Sequence, residues 1–138
     1  MAFVRRFALP ALALAGALAS PLKAEVSVES DVAFFQRVQV GRVDVTPLNV
    51  FADTRCLDWE LCARTQTMVI TAILHTESGP QQIVLVLGEG ARIEGGYLVL
   101  MSAGVPPSQN GAIPINDYRL ELAFVPDELV ESNKDSDS

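Results

Sequence analysis

The stretch Tyr118–Phe124 (YRLELAF) decides the fold class, because apolar and polar side chains alternate along most of it with a period of two. That period is typical of a strand with one buried face. Met68–His75 (MVITAILH) also divides into two alternating faces. Ile83–Leu87 (IVLVL) and Tyr97–Met101 (YLVLM) are short continuous apolar runs, which are typical of strands buried on both sides.

Strands and turns account for the rest of the chain after residue 24. Four earlier segments have strand composition: Glu25–Glu29, Val32–Val40, Arg42–Thr46 and Leu48–Phe51. Gly-rich and Pro-containing turns separate the later strands. We predict an all-β fold over residues 25–130, a small antiparallel β-sandwich or barrel of about seven or eight strands. Residues 131–138 (ESNKDSDS) are expected to form a disordered polar tail.

The first 24 residues have the layout of a secretory signal peptide. Arg5 and Arg6 give a basic start, and the apolar stretch Phe7–Ala19 follows. At about 1.5 Å per residue this stretch is shorter than a bilayer core of roughly 30 Å, which disfavours a membrane anchor. We predict cleavage after Ala24, with cleavage after Ala19 as the alternative. The mature protein is expected to be periplasmic or secreted, without a stable membrane anchor.

The charge of the chain excludes some partners. It carries 10 basic and 17 acidic residues, a net charge of −7. Removal of residues 1–24, which hold three basic residues and no acid, would bring the net charge to −10. Nucleic-acid binding needs clustered Lys and Arg, so we expect no nucleic-acid partner. Docking on anionic lipid is disfavoured for the same reason.

Cys56 and Cys62 are the only two cysteines, and five residues separate them. An oxidising compartment favours disulfides and an even count leaves no orphan thiol, so we predict a structural disulfide that closes one loop. A free or redox-active pair is the alternative, although the spacing is not the Cys-x-x-Cys of thiol oxidoreductases. The chain-entropy model gives the ring a stabilisation of about 2 kcal/mol.

The titratable residues each have a simpler interpretation than catalysis or metal binding. His75, the single histidine, lies at a strand end, where an exposed histidine is more common than a general base. Asp53, Asp58 and Glu60 lie around the cysteines, but they lack the dense Asp/Asn/Gly spacing of a calcium loop. We therefore predict no catalytic residue, no cofactor and no metal site.

The loop between the two cysteines carries the single tryptophan. Trp59 lies between Asp58 and Glu60, in a short loop with little room to bury an indole ring. An exposed aromatic side chain on a rigid loop is typical of an interface anchor; folding of the ring back onto the sandwich is the alternative. Asp58, Trp59 and Glu60 are thus a candidate partner-binding loop, and Pro106–Asp117 is the next candidate.

The segment Phe51–Cys56 (FADTRC), with Cys62 after five more residues, resembles the signature of a family of small uncharacterised bacterial exported proteins. That signature runs Asp-Ser-Arg-Cys-Pro, a few residues, Cys, an apolar residue and Trp-Ala-Gly. The resemblance extends over about Val38–Pro126. The chain departs from it at Leu57 in place of proline, and at residues 64–66, which are Arg-Thr-Gln. The resemblance implies an exported, disulfide-containing β domain and no particular activity.

Asp53 and Arg55 have a structural explanation that needs no function. Their side chains, two residues apart on an extended segment, point the same way. Charge-assisted hydrogen bonds from this pair would fix the start of the cysteine loop. We predict that Asp53 and Arg55 form a structural corner.

Together these features favour an exported, non-enzymatic β-sandwich protein that binds a protein or another envelope component. An inhibitor that presents the cysteine loop to a hydrolase is a close variant. A small secreted hydrolase that uses His75 or the acids near the cysteines is one alternative, disfavoured by the lack of a nucleophile at recognisable spacing from a base. A structural subunit of an envelope assembly, joined through a strand edge, is another.

Overall fold

The computed structural model describes residues 23–56, 66–108 and 112–135, together with Gly16. Within these residues the chain forms eight strands, a 3-10 helix at Ile115–Asp117 and one α-helix, α1 (Asp127–Lys134). The strands are β1 (Ser27–Val32), β2 (Val38–Val40), β3 (Val43–Asp53), β4 (Met68–Thr76), β5 (Gly79–Val86), β6 (Gly90–Ile93), β7 (Gly96–Ser102) and β8 (Leu120–Pro126).

The strands form two antiparallel four-stranded sheets around one hydrophobic core. The first sheet has the order β1-β8-β7-β6, and the second has the order β2-β3-β4-β5. The chain therefore crosses to the second sheet after β1, builds that sheet as a meander and returns to the first sheet through β6. The prediction of an antiparallel β-sandwich is confirmed.

Burial follows the alternation of the sequence. On β4, Met68, Ile70 and Ala72 are fully buried, whereas the residues between them are half-buried. Leu120 and Leu122 of β8 are fully buried and belong to the same core from the other sheet. Each large apolar side chain buried in this way contributes about 1.5–3 kcal/mol. The core between the sheets thus holds the sandwich together.

Strand β3 is longer than the sequence suggests. Arg42–Thr46 and Leu48–Phe51 are predicted as two strands, but both lie largely within β3. Pro47 lacks an amide donor, and the ladder to β4 shifts its register directly after Pro47 and again after Val50. The Pro47 carbonyl accepts a hydrogen bond from the Phe35 N–H at 2.8 Å. The two bulges let one strand continue past the proline.

Two other segments also differ from the prediction. The predicted strand Val32–Val40 is interrupted by a turn in which Phe35 adopts a φ of 67°. Strand β6 (Gly90–Ile93) begins at a glycine that the sequence indicates as a turn residue and lies in a segment for which no strand is predicted. Four residues that include a glycine are too short for a periodic pattern, and β6 forms because β7 pairs with it.

Helix α1 follows directly after β8. Its first turn carries Asp127 and Glu128, which suit the positive end of the helix dipole. Asp127 contacts Arg92 of β6, and Glu128 contacts Arg42 at 3.2 Å. Residues 131–134, where the composition predicts a polar tail, belong to this helix, and residues 136–138 lie outside the described chain.

Several predictions fall on residues that the structure does not describe. Residues 1–22 of the predicted signal peptide are in this group, apart from Gly16, and so are Cys62 and the Asp58–Glu60 segment. Cys56 is the one cysteine within the described residues, so the disulfide-closed loop stays a prediction. In the described part of the chain, no helix has the length and apolar character needed to span a membrane.

Candidate functional site

Asp53 and Arg55 form a two-pronged ion pair at the end of β3. Arg55 Nε donates to Asp53 Oδ1 at 2.8 Å, and Arg55 Nη2 donates to Asp53 Oδ2 at 2.9 Å. The Arg55 and Asp53 side chains are only 14% and 15% exposed. The paired geometry fixes both groups in orientation as well as distance. The two residues that the sequence suggests as a structural corner are therefore in direct contact.

Tyr118, which lies just before β8 of the first sheet, completes this network. Its hydroxyl donates to Asp53 Oδ2 at 2.9 Å, and its ring meets that of Phe34 edge to face at 5.6 Å between centroids. Arg55 Nη1 donates to the Val105 carbonyl at 2.9 Å. The network thus joins the end of β3, the segment after β7 and the residue pair before β8. We call Asp53, Arg55 and Tyr118 the corner network.

Hydrogen bonding and burial set the charges of the corner network. The Arg55 side-chain hydrogen bonds lower the pKa of Asp53, although burial opposes the shift. The same interaction raises the pKa of Arg55. Burial raises the pKa of Tyr118 to about 12, and the hydrogen bond to Asp53 adds to this effect. At neutral pH the network is a carboxylate, a guanidinium and a neutral phenol.

The raised pKa of Tyr118 predicts a loss of stability in alkaline solution. The unfolded chain releases the phenolic proton near about pH 10, whereas the folded protein retains it up to about 12. The folded state then binds more protons, so the free energy of unfolding should fall as the pH rises through this interval. In urea unfolding, Tyr118→Phe should show a smaller fall than the wild type. An equal fall in both proteins would contradict the raised pKa.

Thr54 and Thr67 hold together the two ends of residues 55–66, the segment that contains the cysteine loop. The Thr54 N–H donates to the Thr67 carbonyl at 2.8 Å, and the Thr67 N–H donates to Thr54 Oγ1 at 3.1 Å. The chain therefore leaves β3 and returns to β4 at one point. Cys56 lies directly after Arg55, so the loop begins next to the corner network.

A cleft of about 350 Å³ lies beside the corner network. One wall comes from the end of β3, and the other comes from the segment between β7 and β8. The lining residues are Asn49, Val50, Phe51, Ala52, Asp53, Arg55, Ser108, Ala112, Ile113, Ile115 and Tyr118. Phe51 is 77% exposed, an unusually open position for a large apolar side chain. The cleft thus combines a fixed polar base with an exposed aromatic ring.

His75 lies at the opposite end of the second sheet from the corner network. It pairs with Asp44 across the β3–β4 ladder, whereas Asp53 pairs with Met68. At about 3.3 Å per residue, the nine-residue offset along β3 separates the two ends by roughly 30 Å. The His75 Nε2 atom lies 2.8 Å from Thr46 Oγ1. The structure does not bring His75 and Asp53 together into one site.

The Asp53 carboxylate is engaged by Arg55 and Tyr118 rather than directed at a cation site. Both of its oxygens accept hydrogen bonds from these two side chains. Within the described ranges, no group of three or more His, Cys, Asp and Glu side chains is placed to hold a metal ion. Asp58 and Glu60, the other acids considered for calcium, lie outside those ranges.

Comparison of the chain with protein-family models, curated proteins and solved structures found no match. The resemblance of the Phe51–Cys62 segment to bacterial exported proteins therefore stays a prediction. The geometry of the corner network and the cleft is the basis for interpreting the site.

Proposed function

We propose that the protein is an exported, non-enzymatic binding module whose recognition surface is the cleft at the end of β3. The observation that carries this proposal is the exposed ring of Phe51, 77% accessible, beside a cleft whose base is fixed by the corner network. Export after cleavage at Ala24 and a Cys56–Cys62 disulfide belong to the proposal. An inhibitor that binds a hydrolase is a variant of the same function.

The fixed geometry of the corner network favours binding, because its side chains lose little conformational freedom when a partner binds. The corner network holds the Asp53 and Arg55 side chains in one geometry before any partner arrives. Binding costs less when the side chains of the surface are already ordered. Aromatic residues such as Phe51 are enriched at protein interfaces and often account for much of the binding energy.

The cysteine loop would extend the same surface. The segment that contains it leaves and rejoins the sheet at Thr54 and Thr67, next to the cleft. Trp59 would supply a second aromatic anchor, and Asp58 and Glu60 would attract a basic partner. A net charge of −10 after removal of residues 1–24 supports such steering, which salt would weaken.

The hydrolase alternative has less support. His75 lies roughly 30 Å along β3 from Asp53, so a scheme that uses both has no common site. The alternative of an envelope subunit joined through a strand edge differs from a binding module in the permanence of the complex.

Replacement of Phe51 tests the proposed function. The protein is recovered from the periplasm and its intact mass is measured. The mass should correspond to a chain without residues 1–24, and it should be lower by two hydrogen atoms because Cys56 and Cys62 form a disulfide. Phe51→Ala should weaken the binding of an envelope component retained by the wild type by about 2 kcal/mol, because an anchor ring is lost. Phe35→Ala is the matched control, since Phe35 is 63% exposed and does not line the cleft.

The control distinguishes a specific contact at the cleft from non-specific binding through any exposed aromatic side chain. Equal losses in Phe51→Ala and Phe35→Ala, or no loss in either, would contradict the proposed surface. The affinity of each variant for the envelope component should be measured by calorimetry at matched salt concentration, because the net charge makes association depend on salt.

A further inference from the structure

One wall of the cleft is the edge of a strand. Five consecutive residues of β3, Asn49–Asp53, line it. Successive side chains of a strand point to opposite faces of the sheet, so a wall of consecutive residues presents the backbone between them. β4 pairs with the other edge of β3 along this segment. The cleft therefore faces the edge of β3 that lies opposite β4.

Within the described chain, this edge is paired only at its beginning. β2 pairs with Val43–Val45. The next hydrogen bond on this side runs from the Phe35 N–H to the Pro47 carbonyl. Between the described residues, no further backbone hydrogen bond reaches Asn49–Asp53 from the cleft side. An edge of this kind offers N–H and C=O groups to another chain.

We propose that this edge binds an extended peptide segment of a partner protein, which joins the second sheet as a further strand beside β3. This inference rests on the proposed function and states how the partner is held. Backbone hydrogen bonds to Asn49–Asp53 supply affinity, and the walls of the cleft select side chains. At about 3.3 Å per residue the edge is roughly 16 Å long, enough for about five peptide residues.

The lining sets the chemistry of the peptide. Ile113 and Ile115 of the opposite wall and Val50 of β3 are half-buried apolar residues. Asp53 and Arg55 neutralise each other, so this pair requires no counter-charge. The chain as a whole carries a charge of −7, which favours basic over acidic peptides. The peptide is expected to alternate apolar side chains with basic ones.

β5, the outer strand at the other side of the second sheet, does not combine a cleft with an unpaired edge. β5 lies against β6 and β7 of the first sheet. It also carries Pro80, a residue that cannot donate a backbone hydrogen bond and that often protects sheet edges. Among the residues that the structure describes, the cleft and an unpaired strand edge coincide at the end of β3.

Defined peptides test strand addition directly. The probes are fluorescein-labelled heptapeptides that alternate lysine with valine, isoleucine, leucine or phenylalanine. Each is compared with two versions, N-methylated at the apolar residues or at the lysines, which keep the side chains and charges but lose donors on one edge of the strand. Fluorescence anisotropy should show binding of a parent peptide, and at least one N-methylated version should bind about tenfold more weakly.

Hydrogen exchange and two aspartate variants locate the bound peptide. Exchange should slow at amides of Asn49–Asp53 and stay unchanged along β5. Ile113→Asp, which places a charge in the cleft, should weaken peptide binding by about tenfold or more. Val84→Asp is the matched control, because Val84 is 55% exposed on β5 and does not line the cleft. It should bind the peptide as the wild type does.

Four outcomes would overturn the inference. They are no binding of any peptide, equal binding of both N-methylated versions and the parent, protection without peptide of those Asn49–Asp53 amides that do not face β4, and concentration-dependent protection of the same amides through a second copy of the chain. Protection without peptide would mean that the chain itself covers the edge. If Phe51→Ala still weakens partner binding and Phe35→Ala does not in these cases, the proposed function stands and only the strand-addition mode fails.

Discussion

Asp53→Ala is expected to lower the free energy of unfolding by about 3 kcal/mol, because it leaves a shielded guanidinium without its carboxylate. Arg55 would lose both of its side-chain bonds to Asp53, and the Tyr118 hydroxyl would lose its acceptor. Removal of one partner from a shielded pair is costly since the remaining charge stays desolvated. Urea unfolding at neutral pH measures the loss.

Asp44→Ala is the matched control for this prediction. Asp44 pairs with Arg37 at 2.8 Å, a distance equal to the closest contact of Asp53 with Arg55. The Arg37 and Asp44 side chains are 58% and 38% exposed, so solvent screens their interaction. We expect a loss below about 1 kcal/mol. Similar losses in the two variants would mean that the corner network contributes no more than an ordinary surface ion pair.

Loss of the corner network should also change the cleft that we propose as the binding surface. Asp53 and Arg55 line the cleft, and Arg55 holds the Val105 carbonyl of the opposite segment. Without the Asp53 carboxylate, Arg55 and Tyr118 lose their shared acceptor, and the two walls of the cleft are no longer held in one position. The proposed binding surface therefore depends on the corner network for its shape.

Local patterns of the sequence predict most of the fold. The alternation in Met68–His75 and Tyr118–Phe124 is visible because neighbouring side chains alone determine which face of a strand is apolar. β6 (Gly90–Ile93) is not predicted, since its pairing with β7 rather than its own pattern makes it a strand. The bulges that carry β3 past Pro47 depend on β4 and are not visible in the sequence either.

The candidate site shows the same division. Asp53 and Arg55 are two residues apart, so their pairing follows from strand geometry. Tyr118 lies 65 residues away from Asp53 and enters the network only when the two sheets pack. The one available signal is that a buried tyrosine hydroxyl needs a hydrogen-bond partner. The sequence does not predict the cleft, because its walls come from segments distant in sequence.

Gly104→Ala is expected to lower the free energy of unfolding by about 3 kcal/mol or more, from a backbone clash added to a strained conformation. Gly104 has a φ of 68°, which lies in the left-handed region that residues with a Cβ rarely adopt. An added Cβ would overlap the carbonyl group of Arg119. Thermal and urea unfolding measure the loss of stability.

This close approach positions both the corner network and the cleft. The Arg119 N–H donates to the Ala103 carbonyl at 3.1 Å, so the segment after β7 lies directly against the segment before β8. On either side of this contact are Val105, which accepts from Arg55, and Tyr118, which donates to Asp53. Separation of the two segments would displace both partners at once. Gly104→Ala should therefore lower stability and also weaken the binding of the proposed partner at the cleft.

Gly88→Ala separates the effect of conformation from that of the clash. Gly88 has a φ of 79°, but no atom lies within 4 Å of the position a Cβ would take. Its substitution should cost about 1–2 kcal/mol from backbone strain alone. The excess loss in Gly104→Ala then measures the contact with Arg119. Equal losses would show that the two segments can separate freely, and the corner network would not depend on their approach.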